Sequence, residues 1–229
     1  MSKTTLYLFQ NISLENLDLN LLNEDERNYS NTLKNKRKEE YIAGRLLCKN
    51  ILSKELNCSP KNIHIEKTKN GKPYIKKHPI HFNISHSNKK ILIGLSNFEI
   101  GVDIQIMTDH PYKKTWEKLF PEKRIPSKEE FFITWTRYEA LAKALDQSIF
   151  NTNKHPLVTH IHEISEYNKI KSTPQLSLFT NKIQNYMFSA VICGYITTIK
   201  TKITPYGHIY DYTTNKKFRP QKKPSNSPN

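Results

Sequence analysis

The sequence is short of the residues that would make it a secreted, membrane-spanning or fibrous protein. Glycine is scarce, 6 in 229 residues, which excludes collagen-like and linker-like chains. Cysteine is scarcer still: Cys48, Cys58 and Cys193 are odd in number, far apart and never spaced C-x-x-C. Neither a disulfide framework nor a cysteine zinc knuckle is therefore expected, and a reducing, cytoplasmic setting fits. No run approaches the roughly 18 apolar residues that a spanning helix needs. The apolar start from Leu6 to Phe9 breaks off at Gln10 and Asn11, too short for a signal peptide. Acids are also few, 21 Asp plus Glu against 36 Lys plus Arg, for a net charge of +15. Such an excess suits nucleic acid, an anionic membrane surface, or an acidic or phosphorylated partner, and charge alone does not choose among them. What is present is core material: 36% apolar and 10% aromatic residues, enough for one domain of this length or two small ones.

Residues 3–10 read as a strand, and helical spacing runs from about Glu24 to Leu56, clearest at Ile42, Leu46, Leu47 and Ile51. Ile63 and Ile65 alternate with polar neighbours as in a strand, and Asn70-Gly71 predicts a turn. Strands are expected over 80–84, 91–95 and 100–106. Ser127 followed by Glu130 is a capping box, which opens a helix running to about Leu145. A further strand is expected between Tyr186 and Ile199. This order of strand, long helix and small strands, taken twice, predicts an α+β fold of two similar halves, residues 1–98 and 99–214. Beyond Asn215, Lys216, Lys217, Arg219, Lys222 and Lys223 stand among Pro, Ser and Asn without an acid, which predicts a disordered basic tail over 215–229.

Three stretches could carry chemistry. In Ile100-Gly101-Val102-Asp103-Ile104-Gln105-Ile106, period-two alternation puts the branched side chains on one face and Gly101, Asp103 and Gln105 on the other. Gly101 removes a side chain where something could approach closely, and Asp103 with Gln105 supplies oxygen ligands of the kind Mg²⁺ prefers. The polar face of a half-exposed strand would look the same. On the helix opened by Ser127, Glu139 falls inside an apolar arc that includes Phe132, Trp135 and Leu141. A carboxylate there needs a cation, a metal or hydrogen bonds. Lys143 lies four residues on, so the pair is either part of a site or an ion pair at the border of the stripe. In Phe82-Asn83-Ile84-Ser85-His86-Ser87, two hydroxyls, nearby N–H groups and an imidazole could cradle phosphate oxygens or form a solvated turn. Lys67, Lys69 and Lys72 add positive charge around the Asn70-Gly71 turn. His160 and His162 share a strand face with no third ligand, so zinc is not expected there.

Taken in order, Gly71-Lys72-Pro73, the string from Phe82 to Ser87, the strand from Ile100 to Gln105 and Trp135-Thr136-Arg137-Tyr138-Glu139-Ala140-Leu141-Ala142-Lys143 resemble the motifs of the 4′-phosphopantetheinyl transferase superfamily. The length is similar to that of its surfactin-synthetase-activating, two-subdomain branch. The resemblance implies a pseudo-twofold pair of α/β subdomains, with coenzyme A and Mg²⁺ or Mn²⁺ bound between them. It implies transfer of the phosphopantetheine arm to a serine of an apo acyl or peptidyl carrier protein, with release of adenosine 3′,5′-bisphosphate. The pathways served would be fatty-acid, polyketide or nonribosomal-peptide biosynthesis. Carried across by motif, Asp103, Gln105 and Glu139 would hold the metal, and Glu139 would also take the serine proton. Lys143 would stabilise the pyrophosphate and the departing phosphate. Lys72, Ser85 and His86 would contact the nucleotide phosphates, with Lys67, Arg37 and Arg45 toward the 3′-phosphate.

A monomer is expected, since both halves of such a site lie in one chain, and an acidic carrier would be drawn to the positive charge. The sequence departs from the family at two positions: Gln105 stands where an acid is usual, and Tyr138 where a lysine is usual. Two rivals remain. One is a weak or silent relative that binds coenzyme A or a carrier without transfer. The other is a basic nucleic-acid-binding protein, which predicts a groove-reading helix or interleaved aromatics and basics that are not found outside the tail. No specific nucleic acid and no membrane are expected as partners.

Overall fold

A computed structural model describes residues 4–109, 112–121, 123–152, 170–173 and 175–205. The first apolar stretch forms β1 (Thr4–Gln10), buried along nearly its whole length, as a strand covered on both faces must be. The helical stretch that follows is two helices, α1 (Glu24–Thr32) and α2 (Asn35–Leu56). They part at Leu33 and Lys34, whose backbones are extended, and at Asn35, whose φ of 43° asparagine tolerates better than most residues. α1 opens on a capping box, with Asn23 Oδ1 accepting from the Glu26 N–H and the Glu26 carboxylate accepting from the Asn23 N–H. The same carboxylate lies 2.6 Å from Lys49 Nζ in a buried ion pair, which pins α1 to α2.

Ile63 and Ile65 are buried as their alternation predicts, yet they belong to extended chain outside any strand. The local pair is β2 (Glu66–Lys67) with β3 (Pro73–Tyr74), joined through Gly71 at φ 95°. β4 (His81–Ser87) and β5 (Lys90–Ser96) form a hairpin closed by Asn88 and Lys89, both at positive φ as a tight two-residue turn requires. There follow β6 (Ile100–Ile106), α3 (Tyr112–Leu119), α4 (Lys128–Ala144), α5 (Ile149–Thr152), β7 (Ile170–Ser172), β8 (Ser177–Ile183), β9 (Tyr186–Ile192) and β10 (Lys200–Pro205). His160, His162 and the basic tail lie outside the described residues.

One four-stranded sheet has the order β10-β1-β5-β4 and the other β6-β9-β8-β7. β10 joins the first sheet by pairing parallel to β1, so the chain returns there after building the second. Alternation along the strands stacks the two sheets. Tyr7 and Phe9 of β1 face Ala43, Leu47 and Ile51 of α2. Leu6 and Leu8 point the other way, into a core shared with Ile100, Val102 and Ile104 of β6 and Phe188 and Ala190 of β9. Val191 and Leu178 of the second sheet's far face pack on Tyr138 and Leu141 of α4. The result is a mixed α/β stack of four layers: helix, sheet, sheet, helix. Each fully buried Leu, Ile or Phe contributes about 1.5–3 kcal/mol to holding it together. Among the described residues, no helix is long and apolar enough to cross a membrane.

Candidate active site

β6 is the edge strand of the second sheet, and α4 lies across it in backbone contact. A Cβ on Gly101 would come within 2.0 Å of the Ala140 carbonyl oxygen and 2.3 Å of the Ala144 nitrogen. Glycine at this position is what allows the helix to touch the strand. The start of α4 is fixed independently by its capping box, in which Ser127 Oγ accepts from the Glu130 N–H and the Glu130 carboxylate from the Ser127 N–H. With start and point of contact both set, Glu139 and Lys143 are carried to the polar face of β6.

Asp103 is 1% exposed, and both of its oxygens accept hydrogen bonds. Its Oδ1 accepts from Ser85 Oγ at 2.9 Å and from Lys143 Nζ at 2.6 Å, and its Oδ2 accepts from Gln105 Nε2 at 3.1 Å. Burying a carboxylate demands this density of donors. Lys143 thus directs its charge to Asp103 across the helix–strand contact rather than to Glu139 one turn back, as helix spacing alone would suggest. Glu139 is half-buried, and among the described residues its carboxylate accepts no hydrogen bond and forms no ion pair. Burial pushes its carboxyl above the ordinary range; Lys143 pulls it down and Asp103 pushes it further up. Among the described residues, no three His, Cys, Asp or Glu side chains gather as a metal cluster. The carboxylates of Asp103 and Glu139 are close enough to repel, and Gln105, hydrogen-bonded to Asp103 through Nε2, has an amide oxygen with lone pairs to offer. Two carboxylates sharing one field, one of them without a donor, fit a hard divalent cation.

Two clefts adjoin this point along β4, and Gly71, Pro73 and Ile84 line both. The larger, about 260 Å³, lies between α1, α2 and β4 and gathers Arg37, Arg45, Lys67 and His86. The smaller, about 200 Å³, lies between the β2–β3 hairpin and the end of α4 and gathers Lys72, Asn83 and Lys143. Arg45 is 5% exposed, its guanidinium lies 5.4 Å from the Tyr41 ring, and its Nη1 has no hydrogen-bond partner. A buried donor left unpaired costs about 1–3 kcal/mol, which an anion in the cleft would offset. Lys67 Nζ stands 3.8 Å over the Tyr29 ring, itself edge-on to Tyr41 at 4.9 Å. His86 Nδ1 is 3.1 Å from Glu40 Oε2; burial lowers the imidazole pKa, Glu40 opposes that and Lys143 reinforces it.

Not every residue singled out by motif joins these clefts in the same way. Lys72 Nζ donates to the Ala144 carbonyl at 2.7 Å and pairs with Glu99, so it closes the C-terminal end of α4. Ser85 and Ser87 point inward between the sheets, and of that string it is His86 and Ile84 that face the larger cleft. Tyr138 is 2% exposed and packs edge-on against Phe120 at 5.1 Å, so this position faces the core and lines neither cleft. Burial pushes its phenol up to about 12. Sequence reasoning passed over Tyr29, Tyr41 and Glu40. The spacing of Tyr41 four residues before Arg45 on one helix was the available signal.

Residues 15–96 match the family model described as 4′-phosphopantetheinyl transferase, N-terminal. Over 118 residues the chain is 32% identical to the 4′-phosphopantetheinyl transferase gsp of Aneurinibacillus migulanus, an alignment covering 48% of this chain and 49% of that protein. It is 32% identical over 126 residues to a Synechocystis protein for which the same activity is proposed in its name, with coverages of 49% and 51%. The L-aminoadipate-semialdehyde dehydrogenase-phosphopantetheinyl transferase of Schizosaccharomyces pombe is 28% identical over 151 residues, covering 55% of this chain and 58% of that protein. The chain spans about half the length of the curated relatives it matches.

Proposed function

We propose that this chain, a member of the 4′-phosphopantetheinyl transferase superfamily in its surfactin-synthetase-activating branch, moves the phosphopantetheine arm of coenzyme A onto a serine of an apo carrier protein. The observation that carries this reading is the backbone contact at Gly101, which sets Glu139 and Lys143 beside Asp103, with Lys143 lining a cleft that shares a wall with the one holding a buried arginine with an unpaired donor. The adenosine bisphosphate end of coenzyme A occupies that cleft. Arg45, Lys67 and Arg37 hold its 3′-phosphate, and His86 and Lys143 face its pyrophosphate. Mg²⁺ held by Asp103, Gln105 and Glu139 would supply charge neutralisation on the pyrophosphate. The serine oxygen attacks the phosphorus that bears the pantetheine, and its proton passes to Glu139, whose raised carboxyl suits a base working near neutral pH. The bond from that phosphorus to the bridging oxygen breaks, and adenosine 3′,5′-bisphosphate leaves with its new charge facing the Lys143 ammonium.

The same reading takes the two sheet-and-helix layers as pseudo-twofold halves, residues 1–98 and 99–214, with β10 crossing back to the first. It takes the partner as an acidic acyl or peptidyl carrier domain, matched to a net charge of +15, and the enzyme as a cytoplasmic monomer. The test is the intact mass of a panel of apo carrier proteins after incubation with this protein, coenzyme A and Mg²⁺. A gain of one phosphopantetheinyl group that EDTA prevents is expected. Gln105, neutral where the family has an acid, favours one second reading: coenzyme A binding with weak or no transfer. Tight coenzyme A binding with no mass gain on any carrier would select it.

A further inference from the structure

The string from Phe82 to Ser87 divides by alternation. Its odd-numbered residues, Asn83, Ser85 and Ser87, are all buried and point toward β6. Asn83 Oδ1 accepts from the Val102 N–H at 3.1 Å, Ser85 Oγ from the Ile104 N–H at 3.3 Å and Ser87 Oγ from the Ile106 N–H at 3.0 Å. Acceptor and donor advance together by two residues in the same direction. β4 therefore runs beside β6 as a parallel strand would, with side-chain oxygens in place of backbone carbonyls. β6 is the edge of its sheet, and these inward N–H groups would otherwise be buried without partners.

Ser85 has a second role in this seam. Its hydroxyl proton goes to Asp103 Oδ1 at 2.9 Å, and Lys143 Nζ stands 3.3 Å from the same Oγ. A hydroxyl has one proton and two lone pairs. With Asp103 taking the first, and Ile104 and Lys143 the others, Ser85 has nothing left for a phosphate. We infer that Ser85 is a positioning residue, not a phosphate ligand: it locks the Asp103 carboxylate and the adjoining Ile104 peptide in one register, and so sets the affinity of the site for a divalent cation. This rests on the functional reading above for the site it serves, while the seam itself stands on the hydrogen bonds alone.

The test compares Ser85→Ala, Ser85→Thr and Ser87→Ala with the wild type in three readouts: amide hydrogen exchange at Ile104 and Ile106, Mn²⁺ binding by electron paramagnetic resonance with coenzyme A present, and the KM for coenzyme A. Ser85→Ala should speed exchange at Ile104 about tenfold and raise the half-saturating Mn²⁺ concentration about tenfold, the scale typical of lost support behind a metal ligand. Its KM for coenzyme A should stay within about twofold. Ser85→Thr keeps the hydroxyl and should restore both. Ser87→Ala should free Ile106 and leave the Mn²⁺ titration where it was, a separation that mere destabilisation does not produce. If Ser85→Ala does not fold, Ser85→Cys keeps the shape, weakens the same bonds and should shift both readouts in the same direction. Unchanged exchange at Ile104 removes the seam. A raised KM for coenzyme A with an unmoved Mn²⁺ titration makes Ser85 a phosphate ligand and overturns the inference. A wild type that modifies no carrier defeats the proposed function instead, because exchange at Ile104 is read without carrier or turnover.

Discussion

α2 and α4 each cover one sheet of the stack, and each has one glycine at its closest approach, but the glycines stand on opposite partners. Gly101 belongs to the strand, and an added Cβ would strike helix backbone at 2.0 Å. Gly44 belongs to the helix, and an added Cβ there would meet only a side-chain atom, Ile84 Cγ2, at 3.3 Å. α4 therefore touches β6, whereas α2 stands off β4 and leaves the cleft that Gly44, Arg45, Ile84 and His86 line. Charge follows the same division. The contact side holds two carboxylates in one field, and the standoff side holds Arg37, Arg45 and Lys67 around open space. In the proposed function, close packing assembles the reacting groups and the gap admits the nucleotide.

Four substitutions sharpen this contrast. Glu139→Gln should have the largest effect, lowering transfer about a thousandfold, since it removes the proposed base and a negative charge from the proposed metal ligands. Because burial raises the carboxyl pKa in the folded state, the folded chain binds that proton more readily than the unfolded one, and ionised Glu139 costs stability at neutral pH. The variant's Tm at pH 7 without metal should therefore hold or rise, and the acid limb of the wild-type rate profile should disappear. Gly101→Ala should come next. It pushes α4 off β6, destabilises by roughly 3 kcal/mol in a denaturant titration and cuts transfer about a hundredfold by misplacing Glu139. Arg45→Met should raise the KM for coenzyme A about tenfold while leaving the free protein as stable as before or more so, since it deletes a buried, partly unsatisfied cation. Gly44→Ala should do least. A helix gain of about 1 kcal/mol offsets the crowding of Ile84, so calorimetry should find Tm nearly unchanged and the KM raised about twofold as the cleft narrows.

How much of this the sequence disclosed depended on how local the signal was. β6 and α4 were legible to within a residue, because strict alternation and a Ser127–Glu130 capping box need no distant partner. Gly101 was legible as a place of close approach, and the backbone of α4 is what approaches. The break between α1 and α2 was missed because the charged run from Glu24 to Thr32 has no apolar stripe of its own; it is held by the Glu26–Lys49 pair, 23 positions apart in the chain. The aims of Asn83, Ser85 and Ser87 were not legible either. An alternating polar face reads identically whether it meets water, phosphate or the N–H edge of another sheet. Lys72 is the same kind of case, since charge beside a turn says nothing about the Ala144 carbonyl that lies above it.

The parallel pairing of β10 with β1 also bears on how the protein is made. In chain order β1 precedes every other described strand, and among the described residues its outer edge is closed by residues 200–205. The first sheet therefore waits, with one strand's peptide groups exposed, while the whole of the second is synthesised. Cutting between the halves would not yield two folding units. The amino-terminal fragment would lack a strand and present an open edge to its neighbours, so the two halves must be expressed as one continuous chain or supplied together.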